Sequence, residues 1–173
     1  MKQNLPQRKH PRLDTFDYSA SGSYFVTICT YQRQCLLSRI GDLIEGTADA
    51  EAHCDIEYTE CGKIAEEQLF LLEKRYPFLT VDKYVIMPNH IHAILMLQGD
   101  SAAGASPRPT VMDIICTYKS LVTRLSKRFL TMEKLFQTSF YEHIIRSYDD
   151  YREIAKYIYK NPINWSIDEL YAT

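Results

Sequence analysis

The chain has 173 residues, 24% of them charged and 46% hydrophobic, a balance that suits one globular domain with a real core. Mean hydropathy is −0.28, and charges interrupt every apolar run short of the ~18 residues a membrane helix needs, so no membrane partner is expected. The formal charge of −2, taken whole, weighs against a nucleic-acid-binding protein.

Residues 1–20 read as a flexible basic arm: Lys2, Arg8, Lys9 and Arg12 lie among Pro6 and Pro11, which discourage regular structure. No apolar stretch follows them, so a secretory signal is not expected and the location is read as cytoplasmic. Tyr24–Thr30, β-branched and aromatic after Gly22, predicts a strand, and residues 35–46 a weaker second one. Between Thr59 and Arg75, Ile64, Ala65, Gln68, Leu69 and Leu72 recur on one face of a helix that stops before Pro77.

Val81–Met87 and His90–Leu97 read as strands joined by the turn-forming pair Pro88-Asn89. Residues 98–109, small and rich in Gly and Pro, read as a flexible insertion. Val111, Ile114, Ile115, Tyr118, Leu121, Val122 and Leu125 give residues 110–130 the periodicity of a long helix. A strand over 140–146 and a helix over 149–160 follow; Ser147, Asp149 or Asp150 supplies the helix N-cap, and Asn161-Pro162 is the stop. The order β-β-α-β-β-α-β-α predicts one α+β domain over residues 21–165, with a tail at 166–173. A mostly antiparallel sheet with helices packed on one face fits better than a doubly wound parallel sheet.

The five cysteines include no C-x-x-C pair, which speaks against a disulfide scaffold and a structural zinc site. His53, Cys54 and Cys61 lack a fourth nearby partner, so reduced thiols are the simpler reading.

In a strand, His90 and His92 project to the same face, about 7 Å apart, while Ile91, Ala93 and Leu95 face the other way. Neutral imidazoles paired in this way suit a divalent metal. A hydrogen-bonded core His92 and a turn-capping His90 would give the same pattern. On the last helix, Tyr157 and Asn161 are four apart and share a face beside an apolar stripe of Ile154 and Ile158. A phenol of pKa about 10 needs a cation and an aligned electrophile to act as a nucleophile. With 13 tyrosines in the chain, core packing of Tyr157 and a helix-ending role for Asn161 are the competing reading.

Taken together, Tyr84-Val-Ile-Met-Pro-Asn-His-Ile-His92, Phe140-Tyr-Glu-His-Ile-Ile-Arg146 and Tyr157-Ile-Tyr-Lys-Asn-Pro162 resemble the REP-associated tyrosine transposases of the single-tyrosine HUH transposase superfamily. The resemblance runs from about Gly22 to Trp165 and implies a ferredoxin-like (RRM-like) HUH fold. It implies that His90 and His92 bind Mg²⁺ or Mn²⁺, that Tyr157 is the nucleophile, and that Asn161 completes the metal site. Relatives often carry Gln at that last position, one methylene longer. Tyr159 is the rival nucleophile but points about 200° around the helix from Tyr157.

The implied reaction nicks and rejoins single-stranded hairpin DNA through a 5′-phosphotyrosine, by a monomer or a homodimer, with no nucleotide needed; no P-loop is present. Lys119, Arg124, Lys127, Arg128 and Arg146 are candidate DNA contacts, although a charged helix face is also what solvation alone would give. Two other readings stand beside this one. The chain could keep the fold and bind DNA without cutting it, or be a histidine-dependent nucleotide hydrolase or transferase. The latter would place a third alternating histidine at position 94, which is Ile94.

The distribution of charge reverses the lesson of its sum. Residues 41–73 hold ten acids (Asp42, Glu45, Asp49, Glu51, Asp55, Glu57, Glu60, Glu66, Glu67, Glu73) against Lys63, leaving 19 bases and 12 acids elsewhere. The acidic segment is expected to face away from DNA, with the arm and the C-terminal half forming the cationic surface.

Overall fold

The computed structural model describes residues 21–46, 51–99, 108–131 and 133–171; the expected arm and residues 100–107 of the expected insertion lie outside them. Strand β1 (Gly22–Cys29) is followed by a hairpin of β2 (Ser38–Ile44) and β3 (His53–Tyr58). Helix α1 (Glu60–Arg75), strands β4 (Leu79–Ile86) and β5 (His90–Leu97), helix α2 (Val111–Ser126), strand β6 (Tyr141–Ile145) and helix α3 (Tyr148–Lys160) complete the order.

Four strands form one sheet in the order β4-β5-β1-β6, and every neighbouring pair is antiparallel. With the β2–β3 hairpin set aside, the remaining β-α-β-β-α-β path is the ferredoxin-like split. The architecture is α+β, as expected. It is not a simple meander, because the two central strands, β1 and β5, are far apart in sequence. Strand β3 has no counterpart in the sequence reading. Its residues His-Cys-Asp-Ile-Glu-Tyr alternate in exposure, but among the described residues it pairs only with β2, a contact that a local reading does not reveal.

Alternation along β1 and β5 divides the apolar residues into two cores. Tyr24, Val26 and Ile28 of β1 and Ile91, Ala93 and Leu95 of β5 pack with Ala65, Leu69 and Leu72 of α1 and Ile114, Ile115 and Tyr118 of α2. Each such aliphatic side chain contributes about 1.5–3 kcal/mol on full burial. The opposite set, Phe25 and Ile94 with Val85 and Met87, meets Ile154 and Ile158 of α3, Trp165, and Ile40 and Ile56 of the hairpin. Helices therefore cover both faces, not one: α3 carries its own apolar stripe and returns across the side away from α1 and α2.

Local chemistry fixes the helix ends. The Thr59 side chain accepts from the Gly62 amide and donates to the Leu36 and Leu37 carbonyls. A Cβ at Gly62 would overlap the Leu37 carbonyl oxygen, so glycine lets α1 start against that segment. Thr110 and Asp113 close a capping box at α2. The helix expected to reach residue 130 ends at Ser126 and tightens into a 3₁₀ turn over Lys127–Phe129. The domain also continues past residue 165. Trp165–Ile167 form another 3₁₀ turn, and the chain to Tyr171 folds back, with the Tyr171 ring 5.0 Å from that of Trp165. Among the described residues, no helix is long and apolar enough to cross a membrane.

Candidate functional site

The Pro88-Asn89 turn presents His90 at the start of β5, and the turn is anchored on all sides. The Asn89 carbonyl accepts from the Thr30 amide and hydroxyl, and the Pro88 carbonyl accepts from the Leu37 amide. Asn89 itself is fully buried. Its Nδ2 donates to the Arg33 carbonyl (3.2 Å) and the Leu170 carbonyl (2.7 Å), and its Oδ1 lies 2.8 Å from His90 Nδ1. With both amide protons given away, Oδ1 is the acceptor, so His90 carries its proton on Nδ1 and a lone pair on Nε2.

That lone pair faces Asn161 Oδ1 at 3.3 Å. Asn161 Nδ2 is already donated to Asp168 Oδ2 at 2.8 Å, so the atom turned toward His90 is also an acceptor. Two acceptors facing each other call for a cation or a proton between them. Burial pushes the His90 pKa down to about 4, against the opposing pull of Asp168, so a proton is not held there near neutrality.

His92 is 2% exposed and held well below its ordinary pKa by burial, and then by His90. Its Nδ1 is 2.9 Å from Thr27 Oγ1 of β1, and its Nε2 is 3.2 Å from Tyr157 Oη of α3. With Nδ1–H given to Thr27, Nε2 is the acceptor for the tyrosine hydroxyl. The His90 and His92 ring centroids are 4.5 Å apart, in an edge arrangement.

Ligand atoms of His90, His92 and Asp168 all lie within 4.8 Å of one another, the one such group among the described residues. Two neutral imidazoles, a carboxylate and a facing amide oxygen form a donor set that fits a divalent first-row ion or Mg²⁺. Asp168 is positioned by the Leu170 amide and by Asn161.

Tyr157 is 44% exposed, with its ring 5.1 Å from His92 and 6.1 Å from Phe25. Burial, followed by the Asp168 and Glu169 carboxylates, pushes its pKa up to about 12, so ionising the phenol requires a compensating positive charge. These groups open on a cleft of about 990 Å³ whose lining includes Thr27, Arg33, His92, Tyr141, Tyr157 and Asp168. At the rim, Gln32 and Arg33 both have positive φ (54° and 56°), a strained turn that holds the Arg33 carbonyl against Asn89.

Four expected site residues thus come together in one chain: His90, His92, Tyr157 and Asn161. Tyr159, half-exposed, does not line the cleft. Arg146 is exposed at the end of β6, where its amide donates to Asp150, and it does not line the cleft either. Lys119 is half-buried and spends its Nζ on the Thr138 and Ser139 carbonyls, at 2.8 and 3.4 Å. Arg124, Lys127 and Arg128 are exposed on the last turn of α2 and just beyond it. Asp82 accepts from the Tyr151 hydroxyl, and His143 pairs with Asp150 at 2.9 Å. The described cysteines are all free, with Cys61 in the core.

Sequence reasoning missed Asp168, Asn89 and Thr27. In the sequence Asn89 stands out only as a turn residue, and Asp168 falls in the expected tail. None of the described acids between 41 and 73 lines the cleft; its carboxylates are Glu142, Asp168 and Glu169.

No family model matches the chain. A Haemophilus influenzae (strain Rd) protein described as uncharacterized is 28% identical over 181 residues, spanning 96% of this chain and 94% of the relative. Among solved structures, a REP-associated tyrosine transposase bound to a REP hairpin superposes with a TM-score of 0.58 at 20% identity, over 92% of this chain and 74% of that one. A Deinococcus radiodurans protein described as a putative transposase gives 0.43 at 15% identity, over 86% and 95%. The chain therefore has the fold of a REP-associated tyrosine transposase.

Proposed function

We propose that this chain is a metal-dependent enzyme that nicks and rejoins single-stranded hairpin DNA through a covalent 5′-phosphotyrosine on Tyr157. The observation that carries this reading is the placement of Tyr157 Oη 3.2 Å from His92 Nε2, inside a group of two histidines and Asp168 able to hold a metal ion. The shared fold and the relative's bound hairpin support DNA as the partner.

His90, His92 and Asp168 would hold the ion, with Asn161 Oδ1 beside it. Bound there, Mg²⁺ or Mn²⁺ would withdraw charge from a phosphate oxygen and favour ionisation of a nearby phenol. The chain's own residues supply the rest. Asn89 and Thr27 fix the two imidazoles, and Phe25 and His92 clamp the tyrosine ring. Attack forms the Tyr157 Oη–phosphorus bond as the phosphorus–O3′ bond breaks. In net, the proton lost by the phenol is the one gained by the 3′ oxygen. Because the phosphotyrosine link retains the ester energy, a second 3′-hydroxyl can reverse the step on a new strand.

The test is denaturing gel electrophoresis of the protein with Mn²⁺ and a labelled single-stranded hairpin. A slow covalent band is expected from wild type and from Tyr159→Phe, and none from Tyr157→Phe. Tight binding of the hairpin by wild type without any covalent band would leave a DNA-binding protein and remove the enzyme.

A further inference from the structure

We infer that a second, cationic groove carries the nucleic-acid strand away from the tyrosine cleft, and that Arg124, Lys127 and Lys134 hold its phosphates. The inference rests on the reading of the cleft as a DNA-nicking site. Its basis is a depression of about 480 Å³ walled by the C-terminal half of α2 and by residues 133–138. Gln137 lines both this groove and the tyrosine cleft, so the two are neighbours on either side of one residue.

The wall between them is built, not loose. The Gln137 amide donates to the Cys29 carbonyl, the Tyr31 amide donates to the Leu135 carbonyl, and Thr30 bridges Phe136. Lys119 reaches across the groove floor to the Thr138 and Ser139 carbonyls, and its burial lowers its pKa. That lysine is therefore a brace, and the phosphate contacts fall to its exposed neighbours.

Charge divides the two depressions. Carboxylates of Glu142, Asp168 and Glu169 line the cleft with Arg33, a setting for a metal ion. Lys119, Arg124, Lys127 and Lys134 line the groove against Glu133 alone. Arg124, Lys127 and Lys134 make no salt bridge among the described residues, so their charge is available to a polyanion. A further depression shares Arg124 and Lys127, adds Arg128, and is bordered by Glu67 of α1. Glu67 of α1 marks where the cationic track ends. A strand whose scissile phosphate sits at Tyr157 thus has a positively lined groove beside the cleft, just across Gln137, to run into.

The test measures binding of a fluorescent single-stranded hairpin with flanking single strands by anisotropy, at salt from ~50 to ~200 mM. The triple variant Arg124→Gln, Lys127→Gln, Lys134→Gln should bind at least about tenfold more weakly at ~100 mM salt, with a log–log salt slope shallower by about 2. Neutralising Arg39, Arg75 and Arg152 together should change the slope by less. The thermal shift that Mn²⁺ gives wild type should persist in the groove variant, because no proposed ligand is touched. An unchanged dissociation constant and slope in the triple variant would overturn the groove, as would salt-independent binding by wild type. Loss of the covalent adduct in wild type, with groove-dependent binding intact, would instead overturn the nicking reaction and leave the groove standing.

Discussion

One strand, β5, serves two faces that do opposite work. Its odd positions, Ile91, Ala93 and Leu95, are sealed beneath α1 and α2 in a predominantly apolar core. Its even positions, His90 and His92, are equally buried, yet they bring polar atoms into the interior, where each must find a partner. The sealed face contributes stability through area removed from water. The α3 face gives up part of that contribution to hold lone pairs and a carboxylate in place. Ile94, next in the alternation, returns to packing against Phe25 and Val85, so the polar stretch is two residues long. That placement also speaks against the three-histidine nucleotide hydrolase.

Substitutions can break this contrast, beginning with the largest effect. Leu95→Ala should cost about 2–5 kcal/mol in urea unfolding, because it opens a cavity in the sealed core. His92→Gln should cost far less while abolishing the thermal shift produced by Mn²⁺. Equal destabilisation by the two would erase the distinction between the faces. Asn89→Ala should weaken Mn²⁺ binding by about 10–100-fold, because it frees the His90 ring and releases the Leu170 carbonyl together. Titration calorimetry reads this directly, and an unchanged affinity would remove Asn89 from the site.

A smaller, pH-dependent effect sharpens the same comparison. Burial holds His90 at about 4, whereas an unfolded histidine titrates near 6.5. Between those values the unfolded chain binds more protons than the folded one, so stability rises with pH there. The metal-free melting temperature should therefore fall as pH drops from about 6.5 toward 4, and less steeply in His90→Gln. The lowered carboxylate of Asp150 adds its own loss below the ordinary carboxylate range, a separate and more acidic window.

The fold was legible wherever periodicity was strong. The helices α1, α2 and α3 and the strands β1, β4 and β5 lie close to where their patterns place them, because one buried face dictates each pattern. Strand β3 was not legible: among the described residues it pairs with an exposed hairpin strand alone, so its apolar positions are only half-buried. The second helical layer was not placed either, since the stripe on α3 shows that the helix packs but not on which face. At the site, His90, His92, Tyr157 and Asn161 announce themselves by spacing within single elements. Asp168 and Thr27 do not, because only the return of residues 165–171 and the pairing of β1 with β5 bring them there. The charge sum hides a related division: ten of its 22 acids fall between residues 41 and 73, and none of the described ones there lines the cleft.

The most direct measurement is to digest the Mn²⁺-dependent protein–DNA adduct and locate the modified residue by mass spectrometry. In parallel, Tyr157→Phe chains would be mixed with His92→Gln chains. DNA attached to Tyr157 in wild type, and no adduct in the mixture, is expected of a tyrosine that works beside its own chain's histidines. Attachment at Tyr159 or Tyr141, or an adduct recovered in the mixture, would contradict a single-chain Tyr157–His92 site.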